Sequence, residues 1–395
     1  MSDLAMRTTY VAPLTAETAR DLQRKNVGLP LPEPPPAPKP PRTDLLLAGL
    51  DFGTSTSCLK AVYAGSGELV TNEIVPTVVG YAREGIVENL LPGNARVLFG
   101  QQALKHRVYL RMLTPLQNGV IEDLAAAQDF ARHLRQLLSP PPDVEVRAVV
   151  GVPAAADRTA RENLTAALAG LFHRIVLIPE PFLAALGCRD ESRLSDPAYV
   201  DPVRNSLFVD IGAGTTDVCL VQGYHPGPNE QVSSAFAGDE VDHLLQEAIR
   251  RQHADADLSL PRIRQLKEEC SFVGQVEAPV TTTVVLGGKA RKLDCTEAVA
   301  QACQRLLREV FELVKVAIAR SSTDTVEELL GNIILTGGGS LVRNLAPELQ
   351  RLLLEDGYEK PRVQTVGPGY KELVAKGALV AARQAKEGQW QALAG

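Results

Sequence analysis

Cysteine is scarce and unpatterned. The six present, Cys58, Cys188, Cys219, Cys270, Cys295 and Cys303, never fall at CxxC spacing, and several lie inside apolar runs. They read as reduced core thiols of a cytoplasmic protein, which argues against a disulfide framework or a cysteine metal site. Basic charge is not in excess either. With 41 Lys and Arg against 47 Asp and Glu the net charge is −6, so the electrostatic footprint of a nucleic-acid binder is missing. No stretch approaches the roughly 18–20 apolar residues that span a bilayer. Met1–Leu14 lacks the basic–apolar–small order of a secretory leader. P-loop, HExxH, EF-hand and Cys/His-cluster patterns are all absent. What remains is 395 residues, 45% apolar and 22% charged, enough for two or three domains around a sizeable core.

Within that chain one stretch stands out. Ser206–Asp217 reads SLFVDIGAGTTD: an apolar run ending in Asp210, then Gly212, Gly214, Thr215 and Thr216, then the apolar run Val218–Val221. The pattern predicts a β-hairpin whose glycines turn backbone N–H groups inward as an anion site. An aspartate at its mouth repels a bare phosphate but suits a hydrated Mg²⁺ travelling with one. A single such loop is more often an ordinary hairpin with a capping Asp. The pattern, however, occurs twice. In Leu46–Ala64, placing Asp51 on Asp210 puts Gly53 on Gly212, Thr56 on Thr215 and Ser57 on Thr216. Two like hairpins half a chain apart predict two related halves, each offering a phosphate loop to a shared cleft.

Residues 1–44 stand apart. A short helix is expected over Thr15–Lys25, then a proline run, Pro30–Pro41, whose natural state is polyproline II and whose simplest use is as a stiff spacer. A first half is expected over 45–195, with a small insertion near 79–112, and a second over 196–385, with an insertion near 235–295 and a tail at 386–395. Expected elements include a strand over Ile74–Tyr81, a helix over Val97–Arg111, helices over Asp123–Leu138 and Asp157–Leu171, and a strand at Arg174–Ile178. In the second half they are helices at Thr296–Ala319 and Tyr370–Ala385 and a strand at Asn332–Gly339. Strand–helix alternation implies an α/β layer structure.

Two further positions invite chemistry. Gly337, Gly338 and Gly339 follow a buried strand, where bare backbone lets a flat ring or sugar approach; a helix-initiating turn needs only one glycine. Glu180 sits at a strand end between Pro179 and Pro181. It can orient a water toward a γ-phosphate, the positioning work of phosphoryl transfer, or simply cap the helix that follows.

These motifs together resemble the actin superfamily, which also holds DnaK-type chaperones and sugar kinases. DFGTSTS and DIGAGTTD are similar to its two phosphate motifs, PEPFLAALG to its connecting motif, AGDEVD and LKEECSFVG to segments around ribose and adenine, and ILTGGGSLVR to its adenosine motif. TPLQNGVIED resembles a turn of MreB-type proteins. The likeness covers about 45–385 and is greatest to bacterial actin-like filament proteins of the kind that organise magnetosomes. It implies an actin-like ATPase fold, two ribonuclease-H-like halves around a nucleotide cleft, with ATP and Mg²⁺ as ligands. Residue by residue, it implies Mg²⁺ held through water by Asp51 and Asp210, and the β-phosphate side cradled by Gly53, Thr54, Ser55 and Thr56. Gly212, Gly214, Thr215 and Thr216 would close on the γ-phosphate, and Glu180 would orient the attacking water. Gly238, Asp239, Lys267, Glu268 and Gly337–Gly339 would face the nucleoside. Cys58 stands where actin places a lysine.

The implied function is a polymerising ATPase, assembling head to tail into cytoplasmic filaments that position an organelle or cargo, with residues 1–44 available to an adaptor. Head-to-tail contacts generate open filaments. An MreB-like shape filament is the alternative within that class; Ala16, Ala19 and Leu22 make a weak stripe for membrane binding. A chaperone, a sugar kinase and a non-hydrolysing scaffold are the alternatives outside it. A chaperone needs a substrate domain, and only Lys386–Gly395 follow the last expected helix.

Overall fold

The computed structural model describes residues 44–276, 278–286 and 288–393. The expected Thr15–Lys25 helix and the proline run lie outside these residues.

Two hairpins organise the fold. Leu45–Phe52 and Thr56–Tyr63 pair antiparallel with Asp51 opposite Cys58; Ser206–Ile211 and Thr216–Val221 pair with Asp210 opposite Asp217. The registers match, so the repeat in sequence is also a repeat in structure. A third antiparallel strand, Leu69–Pro76 or Gln231–Ser234, lies on one side of each hairpin. Two parallel strands lie on the other, Glu145–Val152 and Arg174–Pro179 in the first sheet, Ile333–Thr336 and Val363–Thr365 in the second. Val146–Val152 and Ile333–Thr336 are buried throughout, as strands covered on both faces must be.

Helices cap as their sequences require. Asp123 and Asp157 accept from the N–H groups of Ala126 and Ala160 at 3.0 and 2.7 Å, starting Leu124–Gln136 and Arg158–Leu168. Phe130 on the former is fully buried and stacks on Phe52, ring centroids 5.8 Å apart, a burial that contributes about 2 kcal/mol.

Two expectations need correction. Val97–Arg111 is not one helix. Val97–Phe99 and Leu110–Leu113 are strands flanking Val79–Ala82, and only Gly100–Lys105 is α-helical. Gly100 takes φ +53°, and β-pairing around a small core of Val78, Leu91, Leu98, Ala103 and Leu110 overrides the helical pattern. The strand expected over Ile74–Tyr81 accordingly breaks after Pro76, which has no N–H to donate.

The last helix, Leu373–Gln384, read as completing the second half, packs instead on the first sheet at Leu45–Phe52 and on the helix Glu180–Cys188. A side chain on Gly49 would strike Ala375 O, one on Gly187 would strike Leu373 O, and one on Gly377 would strike Leu183 O. The apolar cluster around this helix also holds Phe208, Cys219 and Ile334 of the second sheet, so one core runs beneath both hairpins.

The chain then returns to the first sheet's edge. Gln391–Ala392 pairs antiparallel with Arg174–Ile175, Glu387 bonds Arg147 and Arg174, and Trp390 is buried with the Arg147 guanidinium 5.5 Å from its ring centre. Trp390 is the chain's single tryptophan. Trp390→Ala is expected to lower the unfolding free energy by about 3 kcal/mol, measured by urea unfolding followed by circular dichroism. An unchanged midpoint contradicts the docking of this segment.

Candidate functional site

Both hairpins turn at the same end of their sheets, and each loop is held from behind. In the first, Thr77 N–H donates to Ser55 O at 2.9 Å and the Ser57 and Thr77 hydroxyls lie 2.8 Å apart. In the second, Gly238 and Asp239 N–H groups donate to Gly212 O and Ala213 O at 3.1 and 2.7 Å, and the Thr216 hydroxyl donates to Phe236 O. Gly212 N–H donates to Thr215 O at 2.9 Å within the second loop, and with the Ser55, Gly212 and Ala213 carbonyls engaged on the protein side the remaining loop N–H groups are the ones that can face an anion.

Between the loops sits the turn Gln117–Val120. Asn118 and Gly119 have φ of +48° and +72°, the consecutive positive values of a two-residue hairpin turn. Gly119 N–H donates to Thr54 Oγ1 at 3.2 Å. A methyl group on Gly214 would lie 2.7 Å from Asn118 Cα and 2.9 Å from Thr54 Oγ1, and one on Gly119 would lie 3.2 Å from Thr215 Cγ2. The structure therefore brings the two phosphate loops together, with the turn wedged against both.

Four carboxylates converge here. Loss of solvent raises Asp51 from 3.8 to about 7. It raises Asp210 to about 8, with further pushes from Asp217 and Asp51. Glu180 is raised by the same loss of solvent and then by Asp51, Asp210 and Asp217. Asp217, fully buried, is raised by burial against the pull of Ser233, Thr215 and the Ala154 N–H. Lys60, the one cation of the first hairpin, pairs with Glu372 at 2.6 Å. Cys58 is buried, its thiol pushed up to about 12 by burial and then by Asp51, and it supplies no charge. The site therefore favours an incoming cation. Among the described residues no three His, Cys, Asp or Glu side chains are placed to ligate a metal directly. A divalent ion carried through its water shell fits Asp51 and Asp210.

Because the folded values of Asp51 and Asp210 lie above the unfolded one, the stability they contribute is fully present below about pH 4 and is lost as pH rises through about 7 to 8. Ligand-free protein in EDTA is expected to melt lower at about pH 9 than at about pH 6, and Asp210→Asn to flatten that slope. A wild-type melting temperature independent of pH over this range contradicts the shifts.

Glu180 opens its helix directly after the strand Arg174–Pro179, with Gly151 of the neighbouring strand leaving room for its side chain; a methyl there would lie 2.9 Å from Glu180 Cγ. Pro179, and not Glu180, holds the N-cap position.

The three glycines each have a protein neighbour. Gly337, at φ +78°, leaves room for the Asp210 carboxylate, and Gly339 for the Ile211 side chain. Gly338 faces the Tyr370 hydroxyl, 3.3 Å from where its Cβ would be. Close approach to the second loop thus explains two of the three.

Lys267 donates to Gly238 O at 2.5 Å and lies 2.8 Å from the fully buried Asp242, which also receives Arg264; Arg264 bonds Asp239 at 2.6 Å. Lys267 and Asp239 are therefore posts for the second loop, while Glu268 is exposed.

Three contributors escaped the sequence reading. Asn118–Gly119 was quoted only as a family turn, although Asn-Gly is a strong hairpin signal. Tyr370, half-buried and raised by burial and then by the charges of Glu268 and Asp210, carried no signal. Asp217 stands opposite Asp210 where the first hairpin has Cys58, one of several positions at which the two hairpins differ.

Comparison with known proteins gives a consistent picture. The MreB/Mbl protein family profile matches residues 47–369. The actin-like protein MamK of Paramagnetospirillum magneticum is 32% identical over 313 residues, 78% of this chain and 84% of that protein. A solved MamK double helical filament superposes with a TM-score of 0.77 at 30% identity, over 87% of this chain and 100% of that one. A non-polymerising MamK mutant bound to AMPPNP superposes at 0.62 with 30% identity, over 86% and 99%.

Proposed function

This chain belongs to the MreB/Mbl family of actin-like proteins, and on that premise we propose that it is an ATPase assembling head to tail into cytoplasmic filaments that position an organelle or cargo. One observation carries the reading: two hairpins of identical register place Asp51 and Asp210 beside Glu180 where the loops meet. The likeness to a MamK filament and to a MamK mutant bound to AMPPNP supports polymer and nucleotide respectively.

In this reading the phosphates of ATP lie between Gly53–Thr56 and Gly212–Thr216, whose inward N–H groups neutralise them. Asp51 and Asp210 would hold the hydrated Mg²⁺ that accompanies ATP; when bound it offsets phosphate charge. Glu180 accepts a hydrogen bond from the attacking water and aims it at the γ-phosphate. Its raised proton affinity suits it to take a proton as the water adds, and its neighbours Asp51, Asp210 and Asp217 set that affinity. Gly337–Gly339, Tyr370 and Glu268 border the nucleoside side. The family's ATP-driven polymer also implies bending between two halves, 45–195 and 196–372, with the last helix travelling with the first.

Sedimentation tests the reading. With ATP and Mg²⁺ the purified protein is expected to pellet at high speed above a critical concentration and to stay in the supernatant with neither. Persistent monomers at high concentration with ATP and Mg²⁺ contradict it. A linear structure formed by a fluorescent fusion along an organelle chain supports cargo positioning, and a helical distribution at the envelope points to shape control.

A further inference from the structure

The strands Thr281–Leu286 and Lys289–Asp294 pair only with each other. One face of this small sheet is fixed by burial: Thr282, Val284 and Leu293 are buried, the last two in the apolar core of the second half. Period-two alternation accounts for the first strand, whose Thr283 and Val285 are exposed. It does not account for the second. Lys289, Ala290, Arg291 and Lys292 are all exposed, so both faces of that stretch meet water, and only Leu293 turns inward.

The second strand is an open edge. Among the described residues its only backbone bond outside the hairpin is at its end, where Asp294 O lies 2.9 Å from His253 Nε2. The outward N–H and C=O groups of Lys289–Leu293 therefore stand ready to pair. Its charge is equally uneven, three cations in four positions of a chain whose net charge is −6. Arg291 pairs with Asp255, while Lys289 and Lys292 have no ion-pair partner among the described residues. Such an edge refuses a second copy of itself, because pairing two like strands sets cation against cation. It favours a strand of opposite sign: a residue added directly opposite Lys292 would have its Cβ about 5 Å from the lysine's.

We propose that Lys289–Leu293 is a docking edge for an extended acidic segment of a partner protein, which adds beside it as a third strand. Main-chain bonds to the open edge supply affinity without regard to sequence. Lys289 and Lys292, on opposite faces of the strand, select carboxylates on both faces of the incoming segment. The docking requires neither nucleotide nor hydrolysis, and so stands apart from the proposed ATPase reading.

The test is fluorescence anisotropy with the full chain, without nucleotide, at physiological ionic strength. The probe is a labelled peptide of the repeat Glu-Glu-Thr-Thr, about eight residues long, which is a strand's length. It is expected to bind, and the same repeat built on lysine to bind at least about tenfold more weakly. Lys289→Glu with Lys292→Glu is expected to weaken the acidic peptide about tenfold or more, and Lys289→Arg with Lys292→Arg to keep it within about threefold. Both positions are exposed, so the fold is not at stake. N-methylation separates strand addition from attraction between charges. A probe methylated at alternate nitrogens keeps one pairing edge and is expected to bind within about threefold; one methylated at every nitrogen keeps its charge but no edge, and is expected to lose about tenfold or more. Equal binding of the fully methylated and unmethylated probes overturns strand addition. Failure of the wild type to bind, or charge reversal without effect, overturns the site. A dimer in sedimentation velocity, or co-sedimentation with phosphatidylglycerol vesicles, either one lost on charge reversal, gives the edge to a second copy or to a membrane and overturns the proposal as well.

Discussion

Glu180→Ala is expected to bind ATP within about threefold of wild type and to hydrolyse it about 100-fold more slowly or worse. The asymmetry follows from where the side chain stands. Glu180 belongs to neither phosphate loop; it opens the helix that follows the strand Arg174–Pro179 and lies among Asp51, Asp210 and Asp217. An anion there contributes nothing favourable to binding a polyphosphate and slightly opposes it, so its removal spares affinity. It contributes to the transition state by fixing a water and accepting its proton. Glu180→Gln keeps the shape and the hydrogen-bond acceptor but not the basicity. It is expected to bind as tightly and to remain slow, which separates proton acceptance from simple space filling. Turnover unchanged in Glu180→Ala removes Glu180 from the chemistry.

Gly377→Val is expected to destabilise the fold by about 3 kcal/mol or to prevent its accumulation. Here the reason is backbone contact. The helices Leu373–Gln384 and Glu180–Cys188 approach until Gly377 meets Leu183 O and Gly187 meets Leu373 O, and Gly49 of the first strand meets Ala375 O. No rotamer relieves a clash between a Cβ and a main-chain oxygen, so the helices must separate. The apolar core they share with Phe208 and Ile334 would open with them. Because Glu180 begins one of these helices, a folded Gly377→Ala variant is expected to lose turnover as well as stability. Urea unfolding together with ATP turnover reads both, and a Gly377→Val protein as stable as wild type contradicts the packing.

How far the sequence anticipates this structure depends on what kind of signal each part leaves. The hairpins are legible because turn chemistry and apolar runs are local, and the repeat is legible because two local signals can be compared. The helices that start at Asp123 and Asp157 are legible for the same reason. The Val97–Arg111 segment is not, because its strands are selected by pairing with Val79–Ala82, distant enough in sequence to leave no periodic trace. The destination of Leu373–Gln384 is hidden more deeply. An apolar helix face states that it is buried, not against which sheet. Only Gly49, Gly187 and Gly377, spread over the chain, hint at a close crossing, and nothing in one sequence links them.

The site divides the same way. Asp51, Asp210 and Glu180 are found by chemistry and come together. The three glycines suggested a ligand, yet Gly337 and Gly339 are explained by Asp210 and Ile211. Lys267, expected toward the nucleoside, is largely committed to Asp242 and Gly238. Contacts of this kind belong to tertiary structure, and motif spacing does not report them.

The central claim is that Asp51 and Asp210 serve one nucleotide from opposite loops. Calorimetric titration of AMPPNP with Mg²⁺ into wild type, Asp51→Asn, Asp210→Asn and the double variant tests it most directly. Each single substitution is expected to remove most of the Mg²⁺-dependent part of the affinity, about tenfold or more, and the double to add little beyond either. Binding that keeps its full Mg²⁺ dependence in one of the single variants would contradict a shared site.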